Sequence, residues 1–453
     1  MYELSGDTLV VFVSDSHIGG DPGCDGFESP GELEALFEEL AAREGPVELI
    51  LAGDFFDFLQ IGEVPEGVDR ASLTMDRPEY ERLFAALGRL RREDGKRVTY
   101  LPGNHDAESF WNPEIQETLR KRGLVDEFAY YYLASIEAGG ERRIVYCEHG
   151  NQFDPANAVE DYHDRLDTPL GHHVVMDGTR RIAPYGEISS GLDLAEIKMV
   201  YPLVAIPGWI ASRYFYDFAG KVASYLLFPL LVAYALYRLV AYILGLARDG
   251  NWNFFGNYQE LLQVHQLFLD IALFGFVILL IFAGFFFVIR HAVRKTLRAV
   301  EPGGKKPRYS PAEASREKIR AMLLGETRPP MNPSLDTTAV DVCVSGHTHL
   351  PSLSEVERAD GERAVMVNSG CFLRQLQPVE PRIKGPPVFV SKFVLTHVRI
   401  FVRDGELRVE LWEKPKPARQ SLTRLERLLS YGRRPPQPPK EAEPRLLASA
   451  SLP

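Results

Sequence analysis

The sequence predicts a layered α/β domain interrupted by a two-helix transmembrane hairpin. Three observations lead there. Over the first 150 residues, short apolar runs alternate with helical patterns, as expected of strands and helices stacked in layers. Two long apolar stretches follow, 222–247 and 267–289, each long enough to cross a bilayer, which takes about 20 residues. From Val340 onward the strand pattern resumes.

Leu9 to Val13 is a continuous apolar run and reads as a buried strand. Pro30 to Ala42 reads as an amphipathic helix with Leu33, Leu36, Phe37 and Leu40 on one face. Val47 to Ala52 is a second strand, Pro78 to Arg91 a helix and Arg97 to Leu101 a third strand. Tyr130 to Ile136 and Arg143 to Cys147 add two more. Asp161 to Ser190 is polar and loop-like. Ser310, Pro311 and Glu313 mark a helix start, with the helix running to about Leu324. Val340 to Val344, Ala364 to Val367, Val388 to Val402 and Leu407 to Trp412 are the later strands. The expected organisation is a discontinuous domain (1–160 and 309–415), an insertion (161–308) and a Pro-, Arg- and Glu-rich tail (416–453) without order.

The chain has 453 residues and a net charge of −11. That balance argues against nucleic acid, whose binding needs a basic surface to displace counterions. The four cysteines, Cys24, Cys147, Cys343 and Cys371, form no CxxC pair, so neither a structural zinc site nor a disulfide scaffold is expected. A reducing compartment fits them, and the N-terminus shows no signal-peptide pattern. Arg213 and Lys221 precede the apolar stretches, and Arg290, Arg294, Lys295 and Arg298 follow them, with only Arg248 between. The positive-inside rule then predicts a multi-pass cell-membrane protein with both domain halves in the cytoplasm. Arg238 and Asp270 lie toward the loop end of the hairpin, where they either pair or reach the interface separately. Ile197 to Phe218, with Trp209, Tyr214 and Phe215, reads either as an interfacial helix or as an interior loop of the domain.

Five short motifs carry the chemistry: Asp15-Ser16-His17, Gly53-Asp54-Phe55-Phe56-Asp57, Gly103-Asn104-His105-Asp106, Glu148-His149-Gly150 and Gly346-His347-Thr348-His349. Three directly follow an apolar strand pattern, and layered sheets gather such loops off the carboxyl ends of their strands. Asp15, His17, Asp54, Asn104, His149, His347 and His349 offer mixed oxygen and nitrogen donors, suited to Zn, Fe or Mn rather than Ca. Seven ligands are too many for one ion with an open position and suit two ions sharing a carboxylate. Two such ions clamp the oxygens of a phosphoryl displacement and make hydroxide available near neutral pH. His163, His172 and His173 read as residues of a solvated loop, with a lining of the substrate entrance as the alternative, and Cys147 and Cys371 read as core thiols close to the site.

The order DxH, GDxxD, GNH[DE], H and GHxH resembles the calcineurin-like metallophosphoesterase superfamily over residues 9–155 and about 338–402. The resemblance implies a four-layer α/β/β/α sandwich and hydrolysis by a hydroxide bridging two divalent metals, Mn first among Mn, Fe and Zn. It implies Asp15, His17 and His349 on one metal, Asn104, His149 and His347 on the other, and Asp54 between them. It makes His105 the general acid, with Asp106 orienting it and Asp57 supporting the site. Within the superfamily, the Phe55-Phe56-Asp57-Phe58 run, Phe110-Trp111 and Asn368-Ser369-Gly370 resemble the UDP-diacylglucosamine pyrophosphatase branch. That branch carries Arg after the motif Asn. His105 stands here and points to more general phosphoester chemistry.

The expected function is therefore a membrane-anchored hydrolase of a phosphomonoester, phosphodiester or pyrophosphate. The substrate is a phosphorylated small molecule or a lipid-linked one, and membrane lipid is the other partner. A metal-binding membrane scaffold without turnover is the alternative. Oligomeric state is not legible in the sequence.

Overall fold

The computed structural model describes residues 1–179, 194–202, 205–222, 224–225, 228–249, 310–358, 361–383 and 385–453, together with parts of 265–288. In the described residues the strands are β1 (Tyr2–Leu4), β2 (Leu9–Val13), β3 (Val47–Ala52), β4 (Lys96–Leu101), β5 (Glu127–Phe128), β6 (Tyr132–Ala138) and β7 (Glu141–Cys147). After the insertion come β8 (Val342–Ser345), β9 (Ser352–Glu357), β10 (Arg363–Asn368), β11 (Phe372–Val379), β12 (Val388–Arg403), β13 (Glu406–Glu413) and β14 (Arg445–Leu452). The helices used below are α1 (Pro30–Ala42), α2 (Glu81–Arg92), α3 (Ile206–Val222), α4 (Phe228–Asp249), α5 (Pro311–Leu323) and α6 (Arg424–Leu429).

The strands form two mixed sheets. One has six strands in the order β1-β6-β7-β8-β10-β9, and the other has eight, ordered β14-β13-β12-β2-β3-β4-β5 with β11 paired to β12. β2, β3 and β4 run parallel, while β12 pairs antiparallel with β2. β2 shows why its sequence is apolar throughout. Leu9, Val11 and Val13 face one core while Val10 and Phe12 face another, so a central strand buried on both faces has no polar alternation.

Three clusters define the layers. Leu33, Phe37 and Leu40 of α1 and Leu83, Leu87 and Leu90 of α2 pack on one face of the eight-stranded sheet. Val10, Phe12 and Ile50 meet Ala134, Val145, Val344 and Val367 of the six-stranded sheet in the middle. Ile319, Met322 and Leu323 of α5 cover the outer face of that second sheet against Tyr146, Cys343 and Ala364. The layer order is thus helix, sheet, sheet, helix.

Two expectations need correction. The tail expected to lack order contains α6, with a complete Thr423–Glu426 capping box, and β14, which pairs along β13. Leu452 and Ala450 reach the core between the sheets. Their apolar contribution is diluted in sequence by the Pro- and charge-rich chain before them. The transmembrane hairpin is not found either. Among the described residues no helix is long and apolar enough to cross a membrane. α4 occupies much of the first apolar stretch and exposes Phe228, Leu236, Tyr237 and Leu244, and its sequence is interrupted by Arg238 and ends in Arg248-Asp249. The link at 250–264, scattered positions of the second stretch (267, 279, 282, 285, 286 and 289) and the side chain of Arg238 lie outside what the structure describes.

The stretch with Trp209 proves to be docked on the domain. Val200 and Trp209 are buried against Leu376 and Phe389. Tyr216 packs on Val388 and Val390, and its hydroxyl donates to the Pro386 carbonyl at 2.7 Å. All four cysteines are buried.

The placement of β14 is testable. Leu452→Ala is expected to cost about 2–5 kcal/mol of unfolding free energy, as for other fully buried leucines, measured by urea denaturation. A tail without order would leave the denaturation midpoint unchanged.

Candidate metal centre

Each motif begins just past the carboxyl end of a strand. Asp15 follows β2, Asp54 follows β3, Asn104 follows β4, His149 follows β7 and His347 follows β8. Three of these strands belong to one sheet and two to the other, so the loops meet where the two sheets abut. Main-chain bonds tie them together. Asp15 N donates to Gly53 O at 3.1 Å, His17 N to Asp54 O at 2.9 Å and Gly346 N to His149 O at 2.7 Å.

The backbone at the site is unusual. Among the described residues, the non-glycine residues with positive φ are Asp15, His17, Asp54, His347, His349 and, elsewhere, Asp404. Left-handed backbone costs such residues energy, and it concentrates where tertiary structure needs a side chain aimed in one direction. Gly103 and Gly53 make the close approach possible. A Cβ on Gly103 would fall on the Asp54 carboxylate, and one on Gly53 on the His149 ring.

The side chains converge. Asp15 Oδ1 lies 3.1 Å from His349 Nε2, which lies 3.2 Å from His17 Nε2. Asp54 Oδ2 lies 3.3 Å from His149 Nε2 and 3.6 Å from His17 Nε2. Asp15, His17 and His349 form one group able to hold a metal ion, and Asp54, His149 and His347 form another. A third, His17, Asp54 and His105, overlaps them. Asn104 lines the same cavity as His17, Asp54 and His347.

Electrostatics test whether a cation fits. Asp15, Asp54 and Asp57 are buried, and among the described residues their ion-pair partners are histidines, with no Lys or Arg. Buried carboxylates without a cation are very costly. Burial pushes Asp15 upward, yet His349 and His149 hold it low, at about 2. Asp54 is likewise held well below its usual range by His149 and His105 against the same desolvation. Burial opposes charge on His149, but Asp54 and Asp15 raise it to about 10. The site thus demands positive charge at the point where these groups meet.

The nitrogen roles agree. His149 Nδ1 lies 2.9 Å from the Ala52 carbonyl, so it donates there and Nε2 is the nitrogen facing Asp54. Among the buried polar atoms here, His149 Nε2, Asn104 Oδ1 and His349 Nδ1 lack a hydrogen-bond partner. Buried polar atoms are rarely left so. Imidazole nitrogen, amide oxygen and carboxylate together fit a first-row divalent metal.

The residues assigned to acid chemistry and support also gather here. His105 N donates to Asp54 Oδ1 at 2.7 Å, and its Nδ1 lies 2.9 Å from Asp57 Oδ1. Burial works against its charge, but Asp57 and Asp54 bring it to about 9, so His105 carries a proton at neutral pH. Asp57 also lies 3.7 Å from His17 Nδ1 through its second oxygen. Asp106 bonds elsewhere than on the His105 ring, accepting from Phe55 N at 2.9 Å, Gly103 N at 2.7 Å and Tyr100 OH at 2.5 Å. Its place is beneath the loops, holding the second and third motifs together, while Asp57 is the carboxylate on His105.

Sequence reading missed three contributors. Tyr100 is one. Asp154 lies 3.2 Å from His347 Nε2, and Tyr201 stacks on His349 with centroids 4.6 Å apart. None belongs to a recurring motif, and an Asp-Pro turn or a lone Tyr gives no local signal. His172 lines a side cavity of about 180 Å³ next to His105, whereas His163 meets Tyr130 and His173 meets Thr168 at the surface.

The close approach at Gly103 gives a prediction. Gly103→Ala is expected to displace Asp54 and to lower stability by about 1–3 kcal/mol, as overpacking does. Isothermal metal titration and urea denaturation measure the two effects, and wild-type values in both would contradict the geometry.

Comparison of the whole chain with curated proteins gave no match. Residues 8–181 match the family model of the calcineurin-like phosphoesterases. That span holds Asp15, His17, Asp54, Asp57, Asn104, His105 and His149, while His347 and His349 are brought to them by β8. The match and the clustered His and Asp side chains support placing this domain in the calcineurin-like phosphoesterase superfamily of metal-dependent phosphoester hydrolases.

Proposed function

We propose that the protein is a dinuclear-metal hydrolase of a phosphomonoester, phosphodiester or pyrophosphate that carries an apolar group, and that it works at a membrane. The observation that carries the reading is the convergence of Asp15, His17, Asp54, Asn104, His149, His347 and His349 around two adjoining ligand groups. Asp15, His17 and His349 would hold one ion, and Asn104, His149 and His347 the other, with Asp54 between. Bound there, divalent ions supply Lewis acidity toward phosphoryl oxygens and lower the pKa of water.

The chain's own groups do the rest. His105, protonated and held by Asp57, is placed to give a proton to the departing oxygen, a contribution of about 10²–10⁴ in rate. Asp106 fixes the loop that carries it. The substrate's apolar part is supported by the cavity over the ligand set, about 490 Å³ in volume, whose walls include Leu170, Val174, Ile197, Met199, Ile206 and Leu373. A bare phosphate or sugar phosphate has no use for such walls. A lipid-linked diphosphate, suggested by the motif resemblance to the UDP-diacylglucosamine pyrophosphatase branch, belongs in the same class.

The membrane reading rests on α4, whose Phe228, Leu236, Tyr237, Val240 and Leu244 are exposed together. An apolar helix surface of that extent asks for a covering partner, and the basic residues flanking it favour the cytoplasmic side.

Two experiments test these claims. Purified protein reloaded with Mn is expected to hydrolyse an aryl phosphodiester and acylated phosphoesters in detergent. Asp54→Ala should abolish turnover, and His105→Ala should lower kcat by about 10²–10⁴. Both variants turning over at the wild-type rate would refute the assignment, and a metal-loaded wild type inert on the whole panel would favour the scaffold. Separately, the protein should float with liposomes and resist carbonate extraction. Release by carbonate would mean that no segment spans the bilayer, and failure to float with liposomes would rule out the membrane role of α4.

A further inference from the structure

Two residues outside the five motifs press on the last of them, and both come from the chain between the fourth and fifth motifs. Asp154 lies past β7, after the short turn Asn151–Phe153. It is buried, with Oδ1 accepting from Ala156 N at 3.0 Å and Oδ2 from Asn157 Nδ2 at 2.8 Å. The same Oδ2 is 3.2 Å from His347 Nε2. An ionised carboxylate only accepts, so His347 Nε2 carries the hydrogen and Nδ1 is left to give an electron pair. His149 is the mirror case, donating through Nδ1 to Ala52 O and giving through Nε2.

His349 is held differently. Its Nδ1 is buried with no hydrogen-bond partner, so no such bond fixes the ring. Tyr201 lies against it instead, at an interplanar angle of 24°. Tyr201 is itself anchored, its N donating to Leu376 O at 3.1 Å beside the Val200–Leu376 bridge.

We propose that Asp154 and Tyr201 are positioning residues, fixing the tautomer of His347 and the ring plane of His349, so that the chain between the fourth and fifth motifs completes the metal centre. The inference rests on the dinuclear reading above. Partners that orient metal-binding histidines in this way typically account for about 10–100-fold in metal affinity.

The test is Mn²⁺ affinity, measured by competition with a chromogenic chelator on variants verified as folded by circular dichroism. Asp154→Ala and Tyr201→Ala are expected to bind about 10–100-fold more weakly. Asp154→Asn, which keeps an acceptor oxygen, should lose less than Asp154→Ala. Tyr201→Phe, which keeps the ring, should lose less affinity than Tyr201→Ala. Folded alanine variants with wild-type affinity would overturn the proposal, as would a Tyr201→Phe loss equal to that of Tyr201→Ala. If Asp154→Ala does not fold, ¹⁵N-histidine NMR of zinc-loaded wild type decides. A proton on His347 Nε2 is expected, and a bare, metal-bound Nε2 would overturn the proposal. Wild type that takes up no metal would remove the proposed function as well, whereas wild-type uptake with unaffected alanine variants would remove this inference alone.

Discussion

Buried negative charge governs this molecule. Asp15, Asp54 and Asp57 lie out of solvent around one imidazole, with carboxylate oxygens 3.9, 3.6 and 3.7 Å from His17 ring nitrogens. No lysine or arginine answers them among the described residues. Removing a carboxylate from water without a counter-charge is prohibitive, so imidazolium, a metal ion or both must stand among them. The arrangement of histidines, the glycines that leave room and the strained backbone all follow from meeting that demand. The same requirement separates the site from an ordinary polar core, where carboxylates are paired with fixed basic side chains.

The architecture exists to bring these groups to one place. Parallel β2, β3 and β4 present three loops side by side, and β7 and β8 present two from the facing sheet. Left-handed backbone at Asp15, His17, Asp54, His347 and His349 costs about 1–3 kcal/mol at each residue. The apolar contacts between the sheets, continuous from Val10 and Phe12 to Leu452, offset that strain. The long insertion at 161–308, between His149 and His347, is tolerated because β7 and β8 are hydrogen-bonded neighbours.

What the sequence revealed depended on how local each signal was. β2, β3 and β4 are short apolar runs ending in motif residues, so both strand and site were legible together. β9 and β11 were not, because Ser352–Glu357 and Phe372–Val379 mix polar and apolar residues on strands only partly covered. β14 was hidden for a related reason. Its partner, β13, lies about thirty residues upstream, and its small Ala and Ser residues form no apolar run. The seven expected ligands carried recurring spacings. Asp154 and Tyr201 act through one contact each, fixed only by the fold, and no spacing announces them. Asp106 shows the opposite error. Its motif position suggested a contact with His105, but Phe55 N, Gly103 N and Tyr100 claim its oxygens.

The most direct test of the central claim is anomalous diffraction from crystals grown with Mn²⁺, recorded on both sides of the metal absorption edge. The account predicts two anomalous peaks flanking the Asp54 carboxylate, one among Asp15, His17 and His349 and one among Asn104, His149 and His347. Well-ordered density for these side chains with no anomalous signal between them, at metal concentrations far above those that support activity in related hydrolases, would contradict it.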